Sequence, residues 1–454
     1  MRAMIRLAGL GMALAACCAR AQDINLAAPT DFAHRAHLLG ELGGERAKLE
    51  LKGFHYDVAY SFDLLWNVSG GLRTGHAYRG DLSITLDLET GPAGLWDNGH
   101  FSLRLQGEHG DGLSGRYTGD AQALSNIDAD DFAQISDLYY EHFLLDGKLR
   151  LKAGKMDANS EFAVLDYGGN FIHSSAGHSP NIPLPTFPDP DLAVLVAWQA
   201  TDWLGLKAGV MNSRANAKRP LSRVIAEFRG PMIMFEPEIK YTLHTHPGTL
   251  RPGVWYSGET FDLVGAPGED AGGADPFAQL ELFQAASTDG VGRTLAASLF
   301  GAVKERVTDS IVGKLLPVKT TQNDALGFYV NWDQEVYREN PEQEEDHQGI
   351  GIFAQGGWAS GHTNLISQYY GAGLEWTGAI PSRDDDIAGL GIFHAVFSPE
   401  SNDSHGTETA VELFYHVQVT PWISIKPIID YIANPGGAGN RDAWVMGFRS
   451  QITF

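Results

Sequence analysis

Charged side chains recur at every second position in several segments of the chain. Arg104 and Glu108 lie in one such segment, and Arg150 and Lys152 lie in another. Carboxylates accept hydrogen bonds, whereas guanidinium and ammonium groups donate them. Groups of both signs around one aqueous space would create a transverse field that orients water and dipolar solutes. Such groups can bind a polar molecule reversibly without breaking a covalent bond.

The candidate solute contacts combine these charges with two residues of a long loop. An aromatic side chain from that loop could cover the apolar side of a solute. The alternative is that the charges only solvate a wall and pair with one another. The candidates are Arg104, Glu108, Asp137, Glu141, Arg150, Lys152, Glu161 and Phe162.

Catalytic and metal-binding patterns are weak in this sequence. His244 and His246 could form a metal pair, but they lie beside a Pro-Gly turn. The acidic residues 384–386 are more typical of a solvated turn than of a cation site. The glycine-rich stretch 434–439 lacks the Lys-Ser/Thr of a phosphate-binding loop. We expect no enzymatic activity, no cofactor and no metal.

The final stretch, 444–454, shows what kind of element positions such charges. Its alternation has a period of two, which is the period of a β-strand with two different faces. An apolar face opposite a polar one suits a barrel wall between lipid and water, although a soluble sandwich gives the same pattern. The apolar set is Trp444, Met446, Phe448, Ile452 and Phe454, and the polar set is Gly447, Arg449, Gln451 and Thr453, with Ser450 as the interruption.

Similar segments recur about sixteen times from residue 54 onward. Short turns alternate with long polar stretches, as in bacterial transmembrane barrels. The sequence therefore predicts an all-β, transmembrane antiparallel β-barrel of about sixteen strands, with a bulge at Pro237. The short turns are Asp146-Gly147, Thr201-Asp202, His246-Pro247-Gly248 and Thr420-Pro421, and the long stretches are 110–131, 158–190, 214–231 and 259–325.

The amino terminus predicts export. Arg2 and Arg6 precede the apolar run 7–16, and the small residues of 19–21 suit cleavage after Ala21. Lipid attachment at Cys17 is the alternative. We divide the chain into a signal peptide (1–21), a short helical segment at the periplasmic side or pore mouth (22–53) and the barrel (54–454).

Charge narrows the range of partners. Loss of residues 1–21 removes three arginines and takes the net charge from -23 to -26. Such a balance argues against nucleic acid and favours cations and neutral solutes over anions in a water-filled path. No run of eighteen apolar residues occurs, so no spanning helix is expected.

Two loops are exceptional. The stretch 158–190 is proline-rich and should be stiff, because proline fixes its backbone. It could fold into the lumen or cap the outside. The stretch 259–325 is too long to lack structure of its own, and its spacing of apolar residues predicts a helix over 293–316. That insertion could be an external cap or a plug.

Aromatic residues near the ends of the predicted strands are expected to form interfacial girdles. This set comprises Trp66, Tyr78, Tyr140, Trp203, Trp255, Trp358, Trp376, Trp422, Tyr431 and Trp444.

Several separated motifs resemble the carbohydrate-selective porins of Gram-negative outer membranes, the OprB family. The resemblance covers nearly the whole exported chain, and the segment near 270–323 departs from it by being longer and more helical. The matching stretches are LGELGGERAKL at 39–49, GF at 53–54, NVSGG at 67–71, LRLKAGKMD at 149–157, SEF at 160–162, VTPW at 419–422, KP at 426–427 and NPGG at 434–437.

The resemblance implies a sixteen-stranded, monomeric barrel that passes small carbohydrates such as glucose, or polyols, across the outer membrane. A trimer is the alternative assembly. The expected partners are the solutes, the outer-membrane lipid and the barrel-assembly machinery, which would read the carboxyl-terminal Phe454. A barrel with lipid-hydrolase activity and an adhesive or structural barrel are the rival functions.

Overall fold

A single closed barrel contains all the strands that the structure describes. The computed structural model describes residues 31–213, 230–265, 321–343 and 346–454. Within these ranges sixteen antiparallel strands pair with their neighbours in sequence, and the last strand pairs with the first. The predicted all-β barrel of about sixteen strands is confirmed. Because the number of strands is even, the chain enters the first strand and leaves the last strand on the same side of the barrel.

The strands vary from 8 residues in β5 to 18 in β1, and most reach or exceed the roughly 9–11 residues that a tilted strand needs to cross a bilayer. They are β1 (Phe54–Gly71), β2 (Gly75–Glu89), β3 (Gly99–Gly110), β4 (Phe132–Leu144), β5 (Leu149–Met156), β6 (Asp191–Thr201), β7 (Leu204–Asn212), β8 (Pro231–Leu243), β9 (His246–Asp262), β10 (Thr321–Arg338), β11 (Gly349–Ala359), β12 (Ile366–Thr377), β13 (Ile387–Phe397), β14 (Thr407–Thr420), β15 (Ile423–Ala433) and β16 (Arg441–Thr453).

Helices are short in the described ranges. They are α1 (Glu45–Glu50) and α2 (Ser174–Gly177), with 3-10 turns at Phe32–His34, Leu42–Gly44, Ala158–Ser160 and Pro435–Gly437 and a π turn at Ser114–Thr118. None of the helices in these ranges is long and apolar enough to cross a membrane.

The alternation read from the last strand is confirmed by burial. Trp444 and Met446 are exposed on the outside of β16, whereas Ala443 and Val445 are buried inside it. In β14, Leu413 is likewise exposed and its neighbour Glu412 is buried. An apolar outer face needs no hydrogen-bond partners in lipid, because the backbone groups are satisfied by neighbouring strands.

The inner face is less polar than we predicted. Phe353, Phe393 and Phe414 point inward from β11, β13 and β14 and are buried. All three rings pack against the Phe171 ring in T-shaped geometry, at centroid distances of 5.6, 5.7 and 4.9 Å respectively. Trp255, expected in a girdle, is also buried inside. These residues meet a loop within the barrel rather than water, which is why the period of two did not identify them.

Two local predictions were wrong. The turn between β8 and β9 is His244–Thr245, and His246 already belongs to β9. Pro237 produces no bulge, because it stays in register with Leu206 of β7. Pairing between β8 and β9 is interrupted at 236–238 and resumes in the same register. The missing N–H of proline therefore falls where that ladder is already open.

The segment before the barrel covers the seam between β1 and β16. Arg46 of α1 is buried and donates to the main-chain oxygens of Tyr56 (3.0 Å) and Phe454 (3.1 Å). Leu38 N donates to Thr453 O over 2.8 Å. Only six residues of the predicted helical stretch form an α-helix. The segment is a series of short turns with one short helix rather than a continuous amphipathic helix.

Some predictions fall outside the described residues. These are the signal peptide at 1–21 with Cys17, the start of the segment 22–53, most of the stretch 214–231, and the helix at 293–316 within the insertion 259–325.

Candidate pore constriction

The loop between β5 and β6, residues 157–190, lies inside the barrel. It contributes Phe162 to one buried cluster with inward-facing residues such as Met232 and Trp255. It contributes Phe171 and Ile172 to a second cluster against β11 to β16. Of the two alternatives for this loop, folding into the lumen is the one observed.

Carboxylates of the wall accept hydrogen bonds from the main chain of this loop. Glu236 of β8 accepts from Ala163 N over 2.8 Å. Asp333 of β10 accepts from the N atoms of Asp166 (2.9 Å) and Tyr167 (3.1 Å). Buried backbone N–H groups need acceptors, and these carboxyl oxygens supply them. These two strands therefore fix the first half of the loop.

The same device continues round the barrel. Glu375 of β12 accepts from the side-chain amide of Asn170 over 2.7 Å. Glu412 of β14 accepts from Ile172 N (3.0 Å) and His173 N (2.8 Å). Four acidic residues from alternate strands thus hold the loop against the β8–β14 side through hydrogen bonds to their carboxyl oxygens.

The loop between β3 and β4, residues 111–131, enters the lumen as well. Glu408 of β14 accepts from Ala121 N (2.8 Å) and Gln122 N (3.0 Å). Arg449 of β16 donates to the Asn126 side chain over 2.7 Å. Both loops therefore have tertiary contacts with strands far away in sequence.

A charged cluster joins the long loop to β4 and β5. Arg150 donates to Glu141 over 3.1 Å and also pairs with Glu161. Lys152 Nζ lies 2.9 Å from a carboxylate oxygen of Glu161 and 3.7 Å from the centre of the Tyr139 ring. Four of the predicted site residues are thus brought together, with Glu161 as the member that the loop supplies.

Glu161 stays ionised in this cluster. Its burial favours the neutral acid, but the charges of Lys152 and Arg150 outweigh that effect and lower the pKa of Glu161 to about 2. Arg150 keeps 25% of its side chain exposed, whereas Lys152 is buried. Water in the lumen consequently reaches the guanidinium but scarcely reaches the ammonium.

Arg104 and Asp137 lie near this cluster. The side chain of Arg104 is 35% exposed, and its Nε donates to Ser83 Oγ over 2.9 Å. Asp137 is 3.9 Å from the Arg104 guanidinium and accepts from Asp157 N over 3.0 Å. Arg104 therefore offers unused donors to the lumen, while Asp137 holds the start of the long loop.

The structure separates two predicted residues from water. Phe162 is 1% exposed, and its ring covers Gly209 so closely that a Cβ there would be 3.0 Å from it. Glu108 is buried on β3, in register with Asp81 of β2. Neither side chain has a surface to offer to a solute in this arrangement.

Sequence reasoning missed one cluster on β8 to β10, centred on Arg251. This arginine contacts Asp166, Glu238 and Asp333. Among the inward residues of its strand it follows Thr249 and precedes Gly253. The polar alternation could have identified it as an inward charge. Within the described ranges no three His, Cys, Asp or Glu side chains are arranged to hold a metal ion.

Comparisons with known proteins agree with this geometry. A family model described as carbohydrate-selective porin, OprB family, matches residues 73–454. Porin B of Pseudomonas aeruginosa is 22% identical to this chain over 462 residues, which cover 92% of this chain and 91% of that protein.

Two solved structures of Pseudomonas putida OprB share the fold. The high-pH structure gives a TM-score of 0.75 at 18% identity and covers 93% of this chain and 100% of its own. The low-pH structure gives 0.57 at 16% identity, with coverages of 93% and 99%.

Proposed function

Because the chain belongs to the carbohydrate-selective porin family, OprB, we propose that small neutral sugars cross its lumen beside the charged cluster of β3 to β5. The protein is an integral β-barrel of the Gram-negative outer membrane and lets small carbohydrates diffuse passively through its lumen. Monosaccharides such as glucose, or polyols, are the solutes we infer, and they leave the pore chemically unchanged.

The observation that carries this proposal is the partial exposure of Arg150 between two carboxylates. Glu141 and Glu161 hold the guanidinium in place, and its exposed edge remains free to donate to a hydroxyl. A solute that exchanges water for such contacts binds weakly and can leave again, as conduction requires. Arg104 offers a second partly exposed guanidinium on the neighbouring side of the wall.

The position of the long loop supports the same path. Its backbone is tied to Glu236, Asp333 and Glu412, which all belong to the β8–β14 side. Its apolar residues pack against β11 to β16. We infer that the passage follows the charged side chains of β3, β5 and β8 that stay partly exposed.

Assembly and processing complete the proposal. We infer that residues 1–21 are removed on export, that the barrel works as a monomer, and that the barrel-assembly machinery reads the carboxyl-terminal strand through Phe454. The main-chain N of Phe454 donates to Val58 O over 2.8 Å, so this residue lies at the closing seam. A trimer is the alternative that sedimentation in detergent would detect.

Replacing Arg104 by alanine tests the proposed path. We expect weaker block of ion current by glucose in planar bilayers with folding unchanged, because the guanidinium is partly exposed and makes only one short hydrogen bond. Lys148→Ala, in the exposed turn between β4 and β5, is the matched control for loss of one cation. Unchanged block in Arg104→Ala would reject this residue as a solute contact.

A further inference from the structure

The geometry points to a second carbohydrate-binding site in the lumen, formed by Asp166 of the long loop with Glu238 and Lys240 of β8 around Arg251 of β9. Its ligand class is the hydroxyl groups of a neutral sugar. The inference rests on the proposed passage of sugars and adds a contact that the charged cluster of β3 to β5 does not provide.

Arg251 is the rigid centre of this site. Its three guanidinium nitrogens are all engaged: Nη1 with Asp333 at 2.8 Å, Nε with Glu238 at 3.0 Å and Nη2 with Asp166 at 3.0 Å. The side chain is buried. Arg251 therefore has little left to donate to a ligand and instead positions the carboxylates around it.

The outer members of the site face water. The side chain of Asp166 is 40% exposed, and that of Lys240 is 41% exposed. Lys240 Nζ lies 3.0 Å from a Glu238 oxygen. A carboxylate accepts several hydrogen bonds and an ammonium donates three, so each exposed group has capacity beyond these contacts. Fixed acceptors beside a fixed donor suit adjacent sugar hydroxyls.

A purely structural role does not require all of these charges. Asp333 is buried and already neutralises Arg251, whereas exposed ion pairs contribute little to stability. The main chain of Asp166 is also fixed, because its N donates a hydrogen bond to Asp333 over 2.9 Å. Its carboxylate is thus pre-positioned on the loop without depending on the exposed contact.

The two sites belong to one loop. Glu161 and Asp166 are five residues apart. Lys207 lies between them on the wall, where its Nζ donates to Glu161 O over 2.6 Å and pairs with Glu236 at 2.5 Å. The same stretch of the loop thus supplies one carboxylate to each cluster.

Current block by glucose in planar bilayers tests the site in the full-length protein. The variants are Asp166→Asn and Lys240→Gln, which keep side-chain size and leave Arg251 in place to neutralise Asp333. We expect each to raise the half-blocking glucose concentration about three- to tenfold, because a neutral hydrogen bond replaces a charge-assisted one of about twice the strength. Asp146→Asn and Lys148→Gln make the same charge changes in an exposed turn and should leave block unchanged.

The outcomes separate this site from the proposed function. Half-blocking concentrations of both site variants that equal the wild-type value, while glucose still blocks the wild type, would overturn the second site alone. An equal rise in the two turn variants would also overturn it, because the effect would then be general electrostatics. Wild-type barrels that neither respond to glucose nor admit it into liposomes would reject the proposed function and this site together.

Discussion

Glu161 is the residue through which the long loop contacts the charged wall of β5. Both Arg150 and Lys152 pair with it, and the Lys152 side chain is as buried as its own. Removing one member of a buried ion pair leaves the other uncompensated, and that loss is larger than the net value of the pair. Glu161 is therefore the most sensitive single position in the candidate constriction.

Glu161→Gln should destabilise the barrel by about 3 kcal/mol, because the buried Lys152 ammonium loses the carboxylate with which it pairs. The same change should weaken glucose block, since the loop loses its tie to β5. Thermal unfolding followed by gel mobility measures the first effect, and bilayer current measures the second. Glu45→Gln is the matched control, because Glu45 pairs with Lys48 at a fully solvated position where both side chains exceed 60% exposure.

The difference in stability between the wild type and Glu161→Gln should depend on pH in a way that follows from the pKa of Glu161. It is lowered from 4.5 to about 2 in the folded protein. The stabilisation is therefore fully present above the ordinary value and is lost as pH falls through the folded value. The gap in stability between wild type and Glu161→Gln should stay constant from neutral pH to 4.5 and close towards pH 2. A gap that closes above pH 4.5 would contradict this ion pair.

At the scale of elements, the long loop is held by the wall rather than by its own secondary structure. Its α-helix, α2, has four residues, and much of its main-chain hydrogen bonding goes to side chains of distant strands. Buried backbone groups need partners, and in a lumen they can obtain them only from the wall or from water. The inward carboxylates of β8, β10, β12 and β14 meet that need.

Glu412→Ala should loosen the loop near Ile172 and His173, because both main-chain N–H groups lose their acceptor. A buried unsatisfied donor costs about 1–3 kcal/mol. We expect lower thermal stability and larger fluctuations of single-channel current. Glu412→Gln keeps one acceptor oxygen, so its thermal stability and current fluctuations should lie between those of Glu412→Ala and the wild type. Glu400→Ala, at an exposed loop position, should match the wild type in both measurements. Quiet, wild-type current in Glu412→Ala would show that other contacts suffice to fix the loop.

The segment before the barrel makes a separate prediction. Arg46→Ala removes two hydrogen bonds to main-chain oxygens at the β1–β16 seam and the guanidinium 4.1 Å from the centre of the Tyr56 ring. Hydrogen bonds from a charged donor contribute about 1.5–3 kcal/mol. Thermal unfolding in detergent should shift downward, and Lys48→Ala on the same helix, with a 65% exposed side chain, should not shift it. Equal stability of both variants would mean that the contacts of Arg46 are not needed to close the β1–β16 seam.

The whole molecule is an asymmetric barrel. One side of the lumen is packed around Phe171 and Ile172, and the other side carries partly exposed arginines paired with buried carboxylates. A barrel of sixteen strands is wide enough to leave a channel, so the loops decide how much of it remains open. Selectivity for a small solute is thus a property of the filled barrel rather than of the strands alone.

A charge placed on the apolar outer face of the barrel should be costly. Leu413→Arg puts a charge on the exposed face of β14, which should cost about 2–4 kcal/mol if the site lies near the bilayer midplane. Folding into liposomes, followed by urea titration, measures the loss. Thr407→Arg, at the first residue of the same strand, should cost much less. Equal stability of the two variants would contradict the orientation of this strand towards lipid.

The amino-acid sequence alone determined the wall of this protein. A period of two assigns each side chain to one of the two faces of a strand. An apolar outer face, together with short turns that alternate with long loops, then indicates a closed barrel in a membrane. The turns at Asp146-Gly147 and Thr420-Pro421, the number of strands and the grouping of Arg150 with Lys152 all followed from local pattern. Glu161 was also among the candidates, as a residue of the long loop, and the structure brings it to Arg150 and Lys152.

Only the tertiary structure decided which inward residues meet water. A period of two distinguishes inside from outside, but it does not say whether the inside holds solvent or a loop. Phe162 was therefore assigned to the solute and proved to be buried, and the sequence did not identify Glu412 as a contact of the loop. Such contacts join residues 240 positions apart, as Ile172 and Glu412 are, and no local periodicity records them. The path of the loop through the lumen is fixed by those long-range hydrogen bonds.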